Sequence, residues 1–151
     1  MYRYNYCLVS FYSSENGTLY TIPKGLHLET NLDVEIDILN ILEPPYSDND
    51  VESFILKAFD QCYTKKRENL NSVGSLAKYF GVKRYSTAVR RLKFLSVEWD
   101  KERGYSVTPT HKIPGEGYTH LVDKEKVLGF EPKPGEIAAA LRQAIEESTT
   151  Y

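Results

Sequence analysis

Alternating apolar and polar positions predict three strands in the first part of the chain. Aromatic and polar residues alternate over residues 2–12, and β-type chemistry resumes over residues 18–22 after the turn sequence Glu15-Asn16-Gly17, so these segments predict a hairpin. Residues 32–38 predict a further strand, because every second position is apolar and would form a buried face. The positions between them would form an acidic face that consists of Asp33, Glu35 and Asp37.

Helical periodicity follows this third strand. Residues 47–50 offer several N-cap side chains, and the stripe of apolar residues after them predicts a helix: Val51, Phe54, Ile55, Ala58, Phe59 and Cys62. A short helix is predicted between Ser72 as its cap and Gly81 as its stop. Ser86 is a candidate cap for another short helical turn.

The second half of the chain returns to strand chemistry. Residues 92–99 and 105–110 predict two strands, and the turn residues at 100–104 make them a second hairpin. Two shorter strands are predicted at residues 118–122 and 126–130, after a loop that is rich in glycine.

A final helix is predicted to begin with Pro134 and Glu136 in its first turn, and residues 148–151 are expected to fray. The order of elements and the hairpin-length connections favour an antiparallel sheet covered by helices over a doubly wound fold. We therefore expect an α+β fold with a central, mostly antiparallel sheet and helices packed on it. At this length the chain should form a single domain over residues 1–151.

The composition is that of an ordinary globular protein, with 41% hydrophobic and 26% charged residues. Its twelve tyrosines are unusual, and they suit half-buried strands or contact surfaces. No apolar run approaches the roughly 20 residues of a membrane span, and the N-terminus lacks the apolar core of a signal peptide, so we expect a cytoplasmic protein without membrane contact. Cys7 and Cys62 lie outside any C-x-x-C spacing and are expected to be reduced, buried thiols.

Charge is segregated along the chain behind a net charge of −2. Residues 1–62 carry a net charge of −7, residues 63–103 a net charge of +7, and residues 104–151 a net charge of −2. An acidic N-terminal portion suits a basic protein partner, whereas a basic central portion suits nucleic acid. Internal pairing between the two portions is the alternative explanation.

The sequence has no recognisable catalytic or cofactor-binding motif. His27, His111 and His120 are scattered without zinc-ligand spacing, and a P-loop, a dinucleotide fingerprint and a nucleophile elbow are all missing. Strand alternation would place the carboxylates of residues 33–37 on one solvated face, without the contrasting environments that separate an acid from a base. We therefore expect no enzymatic activity, no metal and no cofactor.

Residues 76–92, LAKYFGVKRYSTAVRRL, suggest an alternative function as a helix-turn-helix DNA-binding regulator. Ala77 would pack inside, Gly81 would form the turn, and Arg90-Arg91 would lie on the recognition helix. The apolar residue expected in the second helix falls on polar Thr87, so the motif is degraded. We expect no specific nucleic-acid partner and keep DNA binding as the alternative.

Five stretches between Val73 and Ile145 resemble a known bacterial family. They are SLAKYFGVKRYSTAVRRL, LSVEW, SVTPT at residues 106–110, a loop with PGEGY, and the closing PGEIAAALRQAI. In these features and their arrangement, the second half of the chain is similar to the contact-dependent growth inhibition (CDI) immunity proteins, CdiI. The SVTPT stretch and the closing helix are the more specific features, and residues before Val73 match only in general character.

The resemblance implies an α+β domain that binds and neutralises a cognate toxin domain, the C-terminal part of a CdiA-type effector and often a nuclease. An acidic inhibitor suits a basic nuclease, because complementary charge speeds encounter and can cover a phosphate-binding cleft. The candidate partner-binding residues are Asp33, Glu35 and Asp37 on the acidic face, with Trp99 and Tyr105 as aromatic anchors. A solvated strand face and a sheet core are the alternative interpretations of these two sets.

Overall fold

Eight antiparallel strands form one sheet in the computed structural model, which describes residues 5–67 and 74–150. The strands are β1 (Tyr6–Ser13), β2 (Leu19–Leu26), β3 (Asp33–Glu35), β4 (Asn40–Leu42), β5 (Lys93–Asp100), β6 (Gly104–Ile113), β7 (Gly117–His120) and β8 (Lys126–Gly129). The helices are α1 (Asp48–Gln61), α2 (Ser75–Phe80), α3 (Tyr85–Ala88) and α4 (Glu136–Glu147), and a 3-10 turn covers Val122–Lys124. The expected α+β class with an antiparallel sheet is confirmed.

The four long strands form the centre of the sheet in the order β2, β1, β5, β6. The short strands β3 and β4 both pair with the outer edge of β2, and β7 and β8 both pair with the outer edge of β6. Both predicted hairpins are confirmed. The first turns at Gly17, which has a φ of 90° that favours glycine, and the second at Asp100, whose carboxylate accepts the backbone N–H groups of Glu102 and Arg103 at 2.8 Å.

Helices α1 and α4 cover one face of the sheet, called here the covered face. Ser47 caps α1 as predicted, because its Oγ accepts the N–H of Asp50 at 3.1 Å while the Asp50 carboxylate accepts the N–H of Ser47 at 2.9 Å. Both helices bury apolar stripes against the inward residues of β1, β5 and β6. The largest core of the molecule lies here, and its sheet residues include Cys7, Val9, Phe11, Leu95, Val97, Trp99 and Val107.

A carboxylate joins the two covering helices. Glu52 on α1 accepts the backbone N–H of Gly135 at 3.0 Å and that of Ala138 at 3.1 Å. These N–H groups belong to the N-terminal end of α4, where a helix lacks internal acceptors and where negative charge is stabilising. Glu52 therefore fixes the position of α4 relative to α1.

The two short helices α2 and α3 cover only part of the opposite face, called here the open face. Leu76 and Ala77 of α2 pack on a second core that contains Tyr12, Tyr20 and Ile22 of the sheet. Gly81 ends α2 with a φ of 68°, as predicted, and the residue predicted as the cap of this helix, Ser72, lies outside the described residues. The rest of the open face has no helix among the described residues.

Three predictions about elements are wrong in detail. The predicted strand at residues 32–38 forms only β3, because the chain leaves β2 after Glu35 and the N–H of Ile36 bonds to the carbonyl of Pro23. Ser86 lies inside α3 and does not cap it. Ser148 does not fray, since its side chain is 2% exposed and accepts the N–H of Thr110 at 3.1 Å.

Within the described ranges, none of the helices has the length and apolar character that crossing a membrane requires.

Candidate functional site

The uncovered part of the open face is a cleft with a volume of about 670 Å³. Every second residue of the central strands points to the open face, and several of these positions carry small hydroxyl side chains, of which Ser10 and Ser96 line the cleft. Ser10 on β1 lies opposite Ser96 on β5, and Ser96 lies opposite Thr108 on β6. Ser106 follows on the same face of β6, opposite Glu98. The middle of the sheet is therefore polar on this side, where a helix-covered sheet would be apolar.

Two hydroxyls of the open face lack hydrogen-bond partners within the described part of the chain. Ser10 and Ser106 are each 1% exposed, and no donor or acceptor there reaches the Oγ atom of either residue. An unpartnered buried hydroxyl is costly and is usually satisfied by ordered water or a ligand. Ser10 lines the cleft directly, so the cleft suits a polar occupant.

Tyrosines form the walls of the cleft and hold a carboxylate at one end. The hydroxyl of Tyr12 donates to Oε2 of Glu35 at 2.7 Å, and the hydroxyl oxygens of Tyr12 and Tyr85 are 2.8 Å apart. Burial, aided by the negative charge of Glu35, raises the pKa of Tyr12 well above its ordinary value. Both tyrosines therefore remain neutral hydrogen-bonding groups at physiological pH.

A second carboxylate, Glu98, lies on β5 and lines the same cleft. Burial raises its pKa, while the hydroxyl of Tyr6 donates to it and partly opposes this effect. Glu98 thus occupies a partly desolvated position beside an aromatic ring. Such a carboxylate favours a partner that brings positive charge or hydrogen-bond donors.

Lys112 and Tyr118 close the cleft beneath α3. The Nζ atom of Lys112 donates to the carbonyl oxygens of Val89 at 3.0 Å and Arg90 at 3.3 Å, and it lies 5.2 Å from the centre of the Tyr118 ring. Burial, reinforced by the charge of Arg90, lowers the pKa of Lys112. The Tyr118 hydroxyl donates to the carbonyl of Leu92 at 2.6 Å, so both side chains tie β6 and β7 to the segment after α3.

Ser96 and His120 form the contact in the cleft that most resembles nucleophilic chemistry, with Oγ and Nε2 2.6 Å apart. A serine nucleophile also requires a group that orients the histidine through Nδ1. Among the described residues, no hydrogen bond to Nδ1 of His120 is present. The contact therefore supplies a polar anchor at the rim, and the absence of enzymatic activity stays a prediction.

The three acidic residues predicted as one binding face lie in three different environments. Asp33 is exposed and accepts the Tyr63 hydroxyl at 2.9 Å. Glu35 is half-buried and turned into the cleft. Asp37 lies beyond β3, where the hydroxyl of Ser75 and then the charge of Lys78, 3.4 Å away, lower its pKa. The structure thus brings only Glu35 to the cleft.

The two predicted aromatic anchors lie on the covered face. Trp99 is 8% exposed, and its ring centre is 6.4 Å from that of Phe130. Tyr105 is half-buried and packs edge-on against Phe59 at 5.4 Å. The structure therefore agrees with the core interpretation of these residues and leaves little of Trp99 for a partner.

Sequence reasoning did not identify the cleft residues as a site. The available signal was a small hydroxyl residue in the middle of each of β1 and β5, Ser10 and Ser96, at positions where core residues are normally apolar. It was not decisive because serine and threonine are also common on solvated strand faces. Recognising the site required knowing that Ser10, Ser96 and Ser106 lie side by side in the middle of the sheet.

The helix-turn-helix segment forms two short helices, and Ala77 is buried and Gly81 forms the turn as predicted. The placement of Arg90-Arg91 on a recognition helix is wrong, because α3 ends at Ala88 and the two arginines lie in the turn that leads to β5. The buried apolar residue after the turn is Val89, which closes α3 against the second core.

Groups of three or more metal-ligating side chains are not found within residues 5–67 and 74–150. Cys7 and Cys62 are both buried and free, as predicted for reduced thiols. The hydrogen bond with the neighbouring Cys7, and then burial, raise the pKa of the Cys62 thiol, which also contacts the carbonyl oxygen of Leu8 at 3.4 Å. These features give the cysteines a packing role between α1 and β1.

The fold and cleft define a class of protein, an α+β domain with one antiparallel sheet, one face covered by helices and a tyrosine-lined cleft on the other. No protein-family model matches the chain, and no curated protein matches it. Among solved structures, the chain is similar to the protein of unknown function NMB0488 from Neisseria meningitidis, with a TM-score of 0.71 over 99% of both chains and 11% sequence identity. At that identity the similarity shows a shared fold.

Proposed function

We propose that the protein is an immunity protein of the contact-dependent growth inhibition type, which binds a toxin domain through the cleft of the open face. The observation that carries this proposal is the cleft itself, which is large and is lined by four tyrosines and two carboxylates. Its volume lies in the range of small-molecule pockets, roughly 300–1,000 Å³, so it can receive a few side chains of a partner loop. The resemblance of residues 73–145 to CdiI proteins supplies the class of partner.

The residues of the cleft suit recognition of a protein. Tyrosine provides large contact area at low conformational cost, and it is enriched among residues that dominate binding energy. Tyr85 is 46% exposed at the rim, and Tyr6, Tyr12 and Tyr118 line the interior. A loop of the partner that enters the cleft would bury the exposed parts of Tyr6, Tyr85 and Tyr118, whereas Tyr12 is already fully buried.

Charge supports a basic partner. The N-terminal portion that forms one side of the cleft carries a net charge of −7, whereas the cleft itself contains Glu35 and Glu98 together with Lys24 and Lys112. Nuclease toxin domains bind phosphates and are therefore basic near the active site. We infer that the protein blocks the substrate cleft of the toxin by steering to this basic surface and covering it.

Expression of the toxin gene next to this gene, with and without the protein, tests the proposal. We expect survival of the producing cells and a one-to-one complex with a dissociation constant of roughly 1 nM or below, as competition with the substrate requires. Glu35→Lys should slow association, whereas Glu29→Lys on an exposed loop should change it little. Neither survival nor a complex with the wild-type protein would refute the immunity function.

A further inference from the structure

We propose that a second pocket, beside the end of α3, binds one nucleotide of a single-stranded nucleic acid without reading its base sequence. This pocket shares no lining residue with the cleft, so the inference goes beyond the proposed toxin binding and does not depend on it. It is carried by two exposed arginines that form no ion pair in the described residues, by exposed aromatic rings beside them, and by a backbone that holds the arginines in place.

The pocket lies between the turn of the first hairpin and the end of α3 and has a volume of about 560 Å³. Its lining combines residues 14–16 of that turn with Arg90 and Arg91, which follow α3. Tyr20 of β2 and Phe80 of α2 add two aromatic rings. The volume lies in the range of small-ligand pockets, roughly 300–1,000 Å³, so the pocket can hold one nucleotide.

Arg90 and Arg91 bring positive charge that no direct ion pair neutralises in the described residues. Neither arginine belongs to any of the four ion pairs found there. They lie in a strongly basic part of the chain, since residues 69–97 carry six basic and no acidic side chains. A guanidinium group presents a planar fork of N–H donors that matches the oxygens of a phosphate group. The two arginines therefore suit a phosphate ligand.

Two carboxylates near the pocket limit the negative charge that it can accept. Glu15 lines the pocket, so two arginines and one glutamate leave the lining with a net charge of +1. Burial raises the pKa of the Tyr20 hydroxyl, with smaller contributions from Tyr79 and from the charge of Glu43, which does not line the pocket. This balance suits the single negative charge of a phosphodiester group better than the higher charge of a free nucleoside triphosphate.

Exposed aromatic rings favour a nucleic acid over an acidic peptide. Phe80 is 39% exposed, and its neighbour Tyr79 is 51% exposed, with the two ring centres 5.2 Å apart. Tyr20 is buried and packs edge-on against Phe80 at 5.6 Å, which holds the Phe80 ring in place. Bases stack on such rings with little dependence on their identity, whereas an acidic peptide would use only the arginines. The two exposed rings can receive two successive bases of a strand.

The backbone that carries the arginines is held from the cleft side. The Nζ atom of Lys112 donates to the carbonyl oxygens of Val89 at 3.0 Å and Arg90 at 3.3 Å. The Tyr118 hydroxyl donates to the carbonyl of Leu92 at 2.6 Å. These bonds fix the segment after α3, so the arginines lose less freedom when they bind a ligand.

Binding of a fluorescein-labelled strand of ten thymidine nucleotides to the full chain, followed by fluorescence anisotropy, tests the inference. We expect a dissociation constant of about 10 µM at physiological salt. The logarithm of the binding constant should fall with the logarithm of salt concentration with a slope of about −1.4, since each of two phosphate contacts contributes about −0.7 in a single strand. The duplex of the same sequence should bind at least about fivefold more weakly, because its bases are not free to stack on the rings.

A pair of charge variants tests the role of the arginines. Arg90→Gln combined with Arg91→Gln should weaken strand binding by at least about tenfold and bring the salt slope close to zero. Lys101→Gln combined with Lys133→Gln removes the same charge from exposed positions outside the pocket and should stay within about twofold of wild type. Circular dichroism and thermal unfolding show whether the variants are folded.

A pair of aromatic variants tests the stacking surface separately from the charge. Phe80→Leu keeps an apolar side chain but removes the aromatic face, so strand binding should weaken by about fivefold or more while the salt slope stays unchanged. Phe130→Leu is the matched control, because Phe130 is 50% exposed and packs beside Trp99 on the covered face. It should stay within about twofold of wild type.

Four results would overturn the inference. Equal affinity for the duplex, or equal competition by a peptide of ten glutamates, would mean that the pocket accepts any polyanion. Competition by thymidine monophosphate at the concentrations at which the unlabelled strand competes would make it a site for free nucleotides. Unchanged affinity in the folded arginine variant or in Phe80→Leu would place binding elsewhere, and no binding up to about 1 mM protein would remove the site altogether.

Discussion

The buried hydroxyl side chains of the open face are the most unusual feature at the level of single residues. Ser10, Ser96, Ser106 and Thr108 are all at most 3% exposed, yet they occupy positions where a sheet core normally carries apolar side chains. Ser96 and Thr108 have partners in the chain, but Ser10 and Ser106 have none among the described residues and reduce stability unless a ligand or water satisfies them. Their presence is typical of a binding site, where stability is reduced in favour of function.

Removing one of these hydroxyls should stabilise the protein. Ser10→Ala deletes a buried hydroxyl without a partner in the described residues, so we expect the free energy of unfolding to rise by about 0.5–1 kcal/mol. Ser148→Ala is the matched control, because the Ser148 hydroxyl donates to the carbonyl of Ala144 at 2.7 Å and accepts the N–H of Thr110. It should lose about 1–2 kcal/mol. Urea denaturation measures the free energy of unfolding of both variants. Equal destabilisation of the two would show that the Ser10 hydroxyl has a hydrogen-bond partner.

The raised pKa of Glu98 predicts a pH-dependent stability. A carboxyl group that is protonated more readily in the folded chain contributes stability below its unfolded pKa, and this contribution is lost as pH rises through the folded value. The Glu98→Gln variant cannot ionise at this position and does not lose this stability. The difference in free energy of unfolding, variant minus wild type, should therefore increase between about pH 4 and pH 7. The ionisable groups that act on Glu98 are those of Tyr6, Glu125, His120 and Arg103.

Urea denaturation at several pH values checks this expectation. Glu102→Gln, on the exposed turn, should show a difference from wild type that hardly varies with pH. A Glu98→Gln difference that is constant, or that falls with rising pH, would mean that burial does not govern this carboxyl group.

At the level of elements, the hairpins and the long helices could be predicted because their signals are local. Period-two alternation and turn residues mark the strands around Gly17 and Asp100, and capping and apolar stripes mark α1 and α4. The predicted strand at residues 32–38 had the same alternation but only three of its residues pair. β3 pairs with residues 24–26 of β2 and β4 pairs with residues 19–21. Between them lies Pro23, which has no N–H to offer to a neighbouring strand. The alternation within residues 32–38 does not reveal that the facing strand contains this proline.

The geometry of the short helices α2 and α3 predicts weak DNA binding without sequence specificity. Because Arg90 and Arg91 lie after α3, they contribute charge without the geometry of a recognition helix. We expect binding to duplex DNA at about 10⁻⁴ to 10⁻⁶ M at physiological salt, with the same affinity for unrelated sequences. Fluorescence anisotropy at several salt concentrations measures this. Nanomolar binding to one sequence, lost on replacing both arginines by alanine, would favour the alternative function as a DNA-binding regulator.

At the level of the whole molecule, the two faces of the sheet are covered unequally. α1 and α4 complete the covered face, whereas α2 and α3 leave the cleft open beside them. Internal pairing of the segregated charges is limited, since Lys78–Asp37 is the single ion pair in the described residues that joins the acidic first portion to the basic central one. Most of this charge is therefore available to a partner. Sequence reasoning predicted the segregation but not the cleft, because residues from β1, β5 and β6 meet only in the folded sheet.

Photocrosslinking within the toxin complex tests the central claim most directly. A photoreactive benzoylphenylalanine replaces Tyr85, at the rim of the cleft, or Phe130, which is 50% exposed beside Trp99 on the other side of the sheet. The proposed binding mode predicts a crosslink to the toxin domain from position 85 and none from position 130. A crosslink from position 130 without one from position 85 would contradict it and would place the partner on the covered face.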